Sequence, residues 1–391
     1  MKEIYFDNSA TTCPSDEVLA FYTRVARENY GNPSSRHARG GAAKRELTEA
    51  RRKLCEALGT KEGHLVFTAG GTEANNLALF GRAYAKERFA RGGRIITTEG
   101  EHASVALPLD ALARAGFDIV SIPTRGGALD MTALMAALTQ KVVLVSVMAV
   151  NNETGAVYDT AKVASLMKRV CPDGVLHVDA TQAFMKIKMT PKSLGADMIT
   201  VSSHKIEGPK GVGALWVSDA LVKSRGLSPV LLGGGQEEGL RSGTENVPGA
   251  CAFAEAARLA SASFDARMAQ VTRVREHILS LLAAHPILST AVTPNLPKTA
   301  APHVLSLTVN GFKSETVLND LSGRGIYVSS GSACASHAKN LSAALLAFGK
   351  TEAETDATIR VSLSHRNTEE EAEIFVSALA EIVSTRARAH R

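Results

Sequence analysis

A chain of 391 residues with 45% hydrophobic and 21% charged residues has the ordinary make-up of a globular protein and is long enough for two domains. Its formal net charge of +5 is spread along the chain without a basic block, and no apolar run nears the roughly 20 residues that cross a bilayer. Nucleic-acid and membrane roles are therefore excluded from the reading, and five scattered cysteines without a CxxC pair (Cys13, Cys55, Cys171, Cys251, Cys334) exclude a disulfide framework and a cysteine-based zinc site.

The N-terminus passes straight into a strand-like pattern, Ile4-Tyr5-Phe6, with no signal-peptide core, which points to a cytoplasmic protein. Ser15 is placed to cap a helix over 16–28. Turn formers crowd Tyr30-Gly31-Asn32-Pro33-Ser34-Ser35, and a second helix is expected over 40–58. A strand over 64–68 ends in Ala69-Gly70-Gly71-Thr72-Glu73, which opens a further helix. That order suits an anion smaller than a triphosphate, because free N–H groups and the positive helix end face the turn; an ordinary glycine turn is the alternative. Strands over 94–98, 118–122, 142–147, 175–178 and 198–201 alternate with helices. This alternation predicts an α/β fold with a mostly parallel central sheet flanked by helices. One long helix is expected over 248–284, with the change of domain along it, and strands over 304–309 and 326–329 belong to a smaller α+β unit.

Ligands of open parallel sheets sit outside the carboxyl ends of the strands, and each polar cluster falls at such an end. Lys205, in Ser203-His204-Lys205 after an apolar strand, is a candidate Schiff-base lysine for an aldehyde cofactor; the alternative is an ordinary turn lysine. Asp179 is the candidate partner for a pyridinium nitrogen, or else a helix cap. Gln182, about one turn later, would reach the phenolic oxygen of the same cofactor. His102 would stack on the ring and move protons, or be an ordinary satisfied histidine. Gly71, Thr72, Ser202 and His204 would hold the phosphate. Arg360 is a natural carboxylate clamp, with a surface ion pair as the alternative. Cys334 stands among small residues after a strand, a setting for an accessible nucleophile.

These segments together resemble the cysteine desulfurases, pyridoxal-phosphate enzymes of the class-V aminotransferase group with the fold-type I architecture. The resemblance rests on Phe6-Asp7-Asn8-Ser9-Ala10-Thr11-Thr12, Gly31-Asn32-Pro33-Ser34-Ser35, Phe67-Thr68-Ala69-Gly70-Gly71-Thr72-Glu73 and Glu101-His102. It continues through Asn151-Asn152-Glu153-Thr154-Gly155, His177-Val178-Asp179-Ala180-Thr181-Gln182, Ser203-His204-Lys205, Gly233-Gly234-Gly235-Gln236-Glu237, Arg241-Ser242-Gly243-Thr244 and Ser330-Gly331-Ser332-Ala333-Cys334. It implies a large cofactor-binding domain over 16–260 and a small domain from 1–15 and 261–391 that carries the catalytic cysteine loop. The cofactor would be pyridoxal 5'-phosphate, with no metal. Lys205, His102, Asp179 and Gln182 keep the roles above, Thr72, Ser202 and His204 bind phosphate beside Gly71, and Thr244 reaches the phosphate of the neighbouring subunit in a homodimer. Asn152, which would also lie against the cofactor, and Arg360 match the substrate-carboxylate contacts, and Asn32 is a further substrate-binding residue. L-Cysteine would become L-alanine, with its sulfur left on Cys334 as a persulfide for an acceptor such as an iron–sulfur scaffold or a thiolation enzyme. The Ser-Gly-Ser-Ala-Cys context implies the group with a long catalytic loop.

Three departures stand out: Glu207 where an aromatic or glycine is usual, the segment 335–341 after the cysteine, and Ser364-His365-Arg366 in place of a Gly-Arg pair. They bear on acceptor choice and rate. The rival readings are a selenocysteine lyase or another class-V lyase with this cofactor, and a non-catalytic sulfur-relay scaffold.

Overall fold

The computed structural model describes residues 3–85, 93–331 and 341–389. Its strands are β1 (Ile4–Tyr5), β2 (His64–Thr68), β3 (Arg94–Thr98), β4 (Asp118–Ile122), β5 (Val142–Met148), β6 (Val175–Asp179) and β7 (Met198–Ser202), followed by β8 (Gly213–Val217), β9 (Val292–Pro294), β10 (Val304–Val309), β11 (Ile326–Tyr327), β12 (Ser329–Ser330) and β13 (Thr358–Ser362). Seven of them form one sheet in the order β2-β8-β7-β6-β5-β3-β4. Pairing is parallel from β7 through to β4, while β8 runs antiparallel to both neighbours. The fold is thus α/β with a mostly parallel sheet.

Side-chain alternation explains how this sheet is held. Leu65 and Phe67 join the apolar cluster on one face and Val66 the cluster on the other, and Ile96 and Ile95 divide in the same way. Every residue of β5, β6, β7 and β8 is buried, as strands covered on both faces must be. Helix Ala38–Ala57 buries Ala43, Leu47, Ala50 and Leu54, one stripe of the 3.6-residue period. That stripe packs on helix Val247–Ala262, whose buried face is largely alanine and so admits a close approach. Ser15 caps Asp16–Glu28, accepting a hydrogen bond from the Val18 N–H.

A second sheet, β12-β13-β10-β9, is antiparallel throughout. Its apolar cluster draws Ile4 and Phe6 from the N-terminus together with residues from Val271 to Val383. The chain start is tied in by parallel pairing of β1 with β11 and by the edge-on Phe6–Phe375 ring contact, centroids 5.8 Å apart.

Two features depart from the sequence reading. The helix expected over 248–284 is two helices, Val247–Ala262 and Phe264–Ala284, interrupted at Ser263 (φ −120°, ψ 18°). The Ser263 hydroxyl donates to the Leu259 carbonyl at 2.8 Å and accepts from Arg267 Nε at 2.7 Å, holding the break with side-chain bonds. Strand β8 was not expected. It begins Gly213-Ala214, and Gly213 matters because a Cβ there would lie 2.6 Å from the Gly70 carbonyl carbon. Gly70 itself takes φ 157°, ψ −179°, a region essentially confined to glycine, so both glycines are needed where β8 passes the start of helix Gly71–Tyr84. Among the described residues no helix is long and apolar enough to cross a membrane.

Candidate active site

The carboxyl ends of β2, β3, β5, β6 and β7 deliver Gly71, His102, Asn152, Asp179 and Lys205 in turn. Lys205 lies in the 3₁₀ turn Ser203–Lys205 directly after β7. Its Nζ donates to the Ser9 carbonyl at 2.6 Å and the Ala10 carbonyl at 2.8 Å. The same N-terminal segment is stitched to the lysine turn by the Thr12 N–H and hydroxyl, both donating to the His204 carbonyl, and by the Glu207 N–H donating to Thr12 Oγ1. Gln182 Nε2 also donates to the Ser9 carbonyl, at 2.9 Å, which brings Gln182 and Lys205 onto one backbone atom.

Asp179 is buried at the end of β6. One carboxylate oxygen accepts from the Thr181 N–H at 2.9 Å, which closes an Asx turn; residues 181–186 form turns and no helix starts there, so Asp179 is not a helix cap. The other accepts from Asn75 Nδ2 at 2.8 Å, and Asn75 donates its second amide hydrogen to Ser104 Oγ, also at 2.8 Å. Ser104 Oγ in turn lies 2.8 Å from His102 Nδ1. A chain of polar contacts therefore runs from Asp179 through Asn75 and Ser104 to His102. The Ser104 backbone N–H also donates to His102 Nδ1, at 3.1 Å, so that nitrogen is an acceptor and the neutral ring carries its proton on Nε2. Burial holds the imidazole below its ordinary pKa, and the nearby Lys205 and Arg360 charges act in the same direction against Asp179. His102 is at once the cap of helix Ala103–Arg114 and a group with a fixed tautomer.

His204 contacts Thr11 Oγ1 through Nδ1 at 3.2 Å, and burial, then the Lys205 charge, pulls its pKa down to about 4. His177, inside β6, is neutral for a similar reason, at about 4, and is held between Ser146 and Thr200. Arg360 is no surface ion pair. It is buried on β13, donates to Asp7 Oδ1 at 2.9 Å and the Asn152 carbonyl at 3.0 Å, and keeps Nε without a partner among the described residues.

The remaining predicted residues are placed less centrally. Gly71 lies beside Thr181 and Ser202, with its missing Cβ 3.1 Å from Thr181 Oγ1. Thr72, Thr244 and Asn32 are solvent-exposed, and the Asn32 side chain accepts from the Ser34 N–H in a local turn. Cys334 lies outside the described residues. Asn75, the link between Asp179 and His102, was missed: it sits 104 residues from Asp179 in sequence, and nothing local marks it.

Gln182 Oε1 and Ser202 Oγ are among the buried polar atoms at this place that have no partner among the described residues. With an ammonium, a buried carboxylate and the N-terminus of an α-helix beside them, they call for a ligand that carries an aldehyde, a cationic ring and a phosphate.

A model of the aminotransferase class-V family matches residues 4–375. The chain belongs to that family. It is 38% identical over 97% of both chains to the NifS/IcsS protein homolog of Lactobacillus delbrueckii subsp. bulgaricus. It is 33% identical to the protein named cysteine desulfurase IscS 1 of Archaeoglobus fulgidus, over 97% of this chain and 96% of the other. Among solved structures, a NifS-like protein superposes with a TM-score of 0.89 at 33% identity, covering 98% of this chain and 100% of that one. The family cofactor is pyridoxal 5'-phosphate, and the donor set just described fits it.

Two predictions follow from the polar network. Burial, with Asp179 adding to it, raises Glu101 to about 8 against the bonds from the Met148 N–H and Thr98. A carboxyl whose folded pKa lies above its unfolded one stabilises the fold below the unfolded value and loses that contribution as pH rises through the folded value. Melting curves of wild type and Glu101→Gln should therefore diverge in favour of the variant as pH rises from about 5 to about 8. A constant difference would mean that Glu101 titrates normally. Asn75→Ala leaves Asp179 and Ser104 without their shared donor. Turnover should fall about 10- to 100-fold with the fold intact, the usual loss when a supporting shell is removed, and unaltered kinetics would disprove the relay.

Proposed function

We propose that the protein is a cysteine desulfurase that takes sulfur from L-cysteine onto Cys334 and releases L-alanine. What carries the reading is Lys205 and Gln182 held on the Ser9 carbonyl while Asp179 is held by Asn75, in a chain 33–38% identical over nearly its whole length to the two relatives named above, one of them called a cysteine desulfurase.

Lys205 would hold the cofactor through its aldehyde, with Asp179 serving its ring nitrogen, Gln182 its phenolic oxygen, and Gly71, Thr72, Ser202 and His204 its phosphate. When bound, pyridoxal 5'-phosphate draws electron density from the α-carbon of an amino acid. Asp179 supports that withdrawal as a carboxylate. His102, neutral and with its proton on Nε2, is able to pass a proton without carrying a charge into the site. Lys205 would supply the amine that takes the α-proton. Arg360, assisted by Asn152 and Asn32, receives the substrate carboxylate on its unpartnered edge.

Cys334 is the second nucleophile. Its thiolate attacks the substrate sulfur, the Cβ–S bond breaks, an S–S bond forms, and the three-carbon skeleton leaves as alanine. Cysteine plus enzyme thiol gives alanine plus enzyme persulfide, so no outside oxidant or reductant enters. The protein works as a homodimer in which the exposed Thr244 completes the phosphate site of the partner, and its persulfide passes to an acceptor protein of iron–sulfur assembly or thiolation.

Paired variants test the division of labour. Lys205→Ala should lose the visible absorbance of the bound cofactor. Cys334→Ser should keep that absorbance while sulfide release from cysteine falls at least about 100-fold, as expected for a lost nucleophile. A Cys334→Ser enzyme with undiminished turnover on cysteine would contradict the assignment.

A further inference from the structure

Two of the departures seen in the sequence, Glu207 and the Ser364-His365-Arg366 segment, meet in the fold. Glu207 lies two residues after Lys205 and takes φ 67°. A residue with a long side chain seldom adopts this left-handed region and keeps it only where its surroundings hold it. Its backbone is held by two bonds: the N–H donates to Thr12 Oγ1 at 2.7 Å, and the carbonyl accepts from the Ser15 N–H at 3.3 Å. Its side chain is held by elements from later in the chain. Arg267, on helix Phe264–Ala284, donates to Oε2 at 3.3 Å, His365 Nδ1 lies 3.2 Å from Oε1, and an Arg366 amine lies 3.5 Å from Oε2.

The Glu207 side chain is 8% exposed, so these contacts are made largely away from water. Charges act on one another more strongly there than at the surface, and removing one of them leaves the others unbalanced. Glu207 is also the one acidic residue lining the small cavity behind the lysine turn, which Lys205, Lys186 and Arg267 line as well. Lys186 registers both neighbours: burial, then the Lys205 charge, lowers it to about 7, and Glu207 opposes the fall. Glu207 and Lys205 thus share a poorly solvated region whose other lining charges are basic.

We infer that Glu207 is a positioning residue for Lys205. It fixes the lysine turn against helix Phe264–Ala284 and the chain after β13, and its carboxylate offsets the basic charge around the lysine nitrogen. The inference rests on the reading of Lys205 as the cofactor-holding lysine and is independent of the sulfur chemistry at Cys334. His365, lowered by burial against the pull of Glu207, is neutral in alkaline solution and leaves Arg267 and Arg366 as the charged partners there. Glu17, exposed on helix Asp16–Glu28, also lies in the field of Arg366 and Arg267 but is open to screening by solvent and salt.

A positive charge on the Lys205 nitrogen is favoured by Glu207 and disfavoured by Arg267 and Arg366. Removing the carboxylate and removing an arginine therefore act in opposite directions. Glu207→Gln leaves the arginines uncompensated, so the charged form of the lysine nitrogen is lost at a lower pH. Arg267→Gln leaves the carboxylate less compensated, so the same form is lost at a higher pH. A turn merely loosened by the two substitutions would respond alike to both.

The test uses the full-length, cofactor-loaded protein, titrated from about pH 6 to about pH 10 while the visible absorbance of the bound cofactor is followed. The midpoint should fall by about 0.5 unit or more in Glu207→Gln and rise in Arg267→Gln. In steady state with L-cysteine, kcat of Glu207→Gln should drop about 10-fold while KM stays within about twofold, because Asp7 still holds Arg360. An unchanged midpoint in either variant, or shifts of the same sign, would overturn the proposal. A wild type with no visible absorbance after the cofactor is added would overturn the reading of Lys205 itself, and this inference with it.

Discussion

A carboxylate buried at the end of a parallel strand is tolerable only when donors or a cation satisfy it, and Asp179 is that carboxylate here. The rest of the site is arranged around meeting that demand. The Thr181 N–H satisfies one oxygen and Asn75 the other, and the second hydrogen of Asn75 extends the network through Ser104 to His102. Glu101, buried nearby and held neutral up to about 8, keeps a second negative charge away from Asp179. A cationic ring facing Asp179 would complete the balance, which is why this carboxylate fits the family cofactor better than a purely structural role.

The N-terminal segment is the second constraint. Residues 9–15 lie across the lysine turn: Lys205 and Gln182 bond the Ser9 carbonyl, Thr12 bonds His204 and Glu207, and the Ser15 N–H donates to the Glu207 carbonyl. Just before it, Asp7 holds Arg360 on β13, and Asn8 bonds the Ser362 carbonyl. One short segment thus ties the turn after β7 to the second sheet. A shift of that segment would move the lysine, the glutamine and the arginine together.

The sequence was informative wherever a local rule applied. Ser15 before an amphipathic stretch marked a helix start, and apolar runs marked β5, β6 and β7, because a strand covered on both faces has no polar alternation. Lys205, Asp179 and Gln182 were legible because parallel sheets place their chemistry at strand ends. Other features depend on pairs far apart in the chain. Asn75 acquires its role only when helix Gly71–Tyr84 docks beside β6, and the Ser9 carbonyl only when the N-terminus crosses the sheet. Strand β8 starts with two small residues and runs against its neighbours, and the break at Ser263 is held by its own side-chain bonds within a helical pattern. Glu207 and His365 stand 158 residues apart in the sequence, and their contact at 3.2 Å belongs to the folded chain alone.

The proposed reaction is divided between a site that activates cysteine and a thiol that takes its sulfur. Peptide mass spectrometry after brief incubation of the cofactor-loaded protein with L-cysteine, under non-reducing conditions, tests that division directly. The peptide containing Cys334 should gain one sulfur atom, removable by a thiol reductant, while the peptides containing Cys13, Cys55, Cys171 and Cys251 remain unchanged. Alanine formation with no added sulfur on Cys334, or with the sulfur on another cysteine, would contradict it.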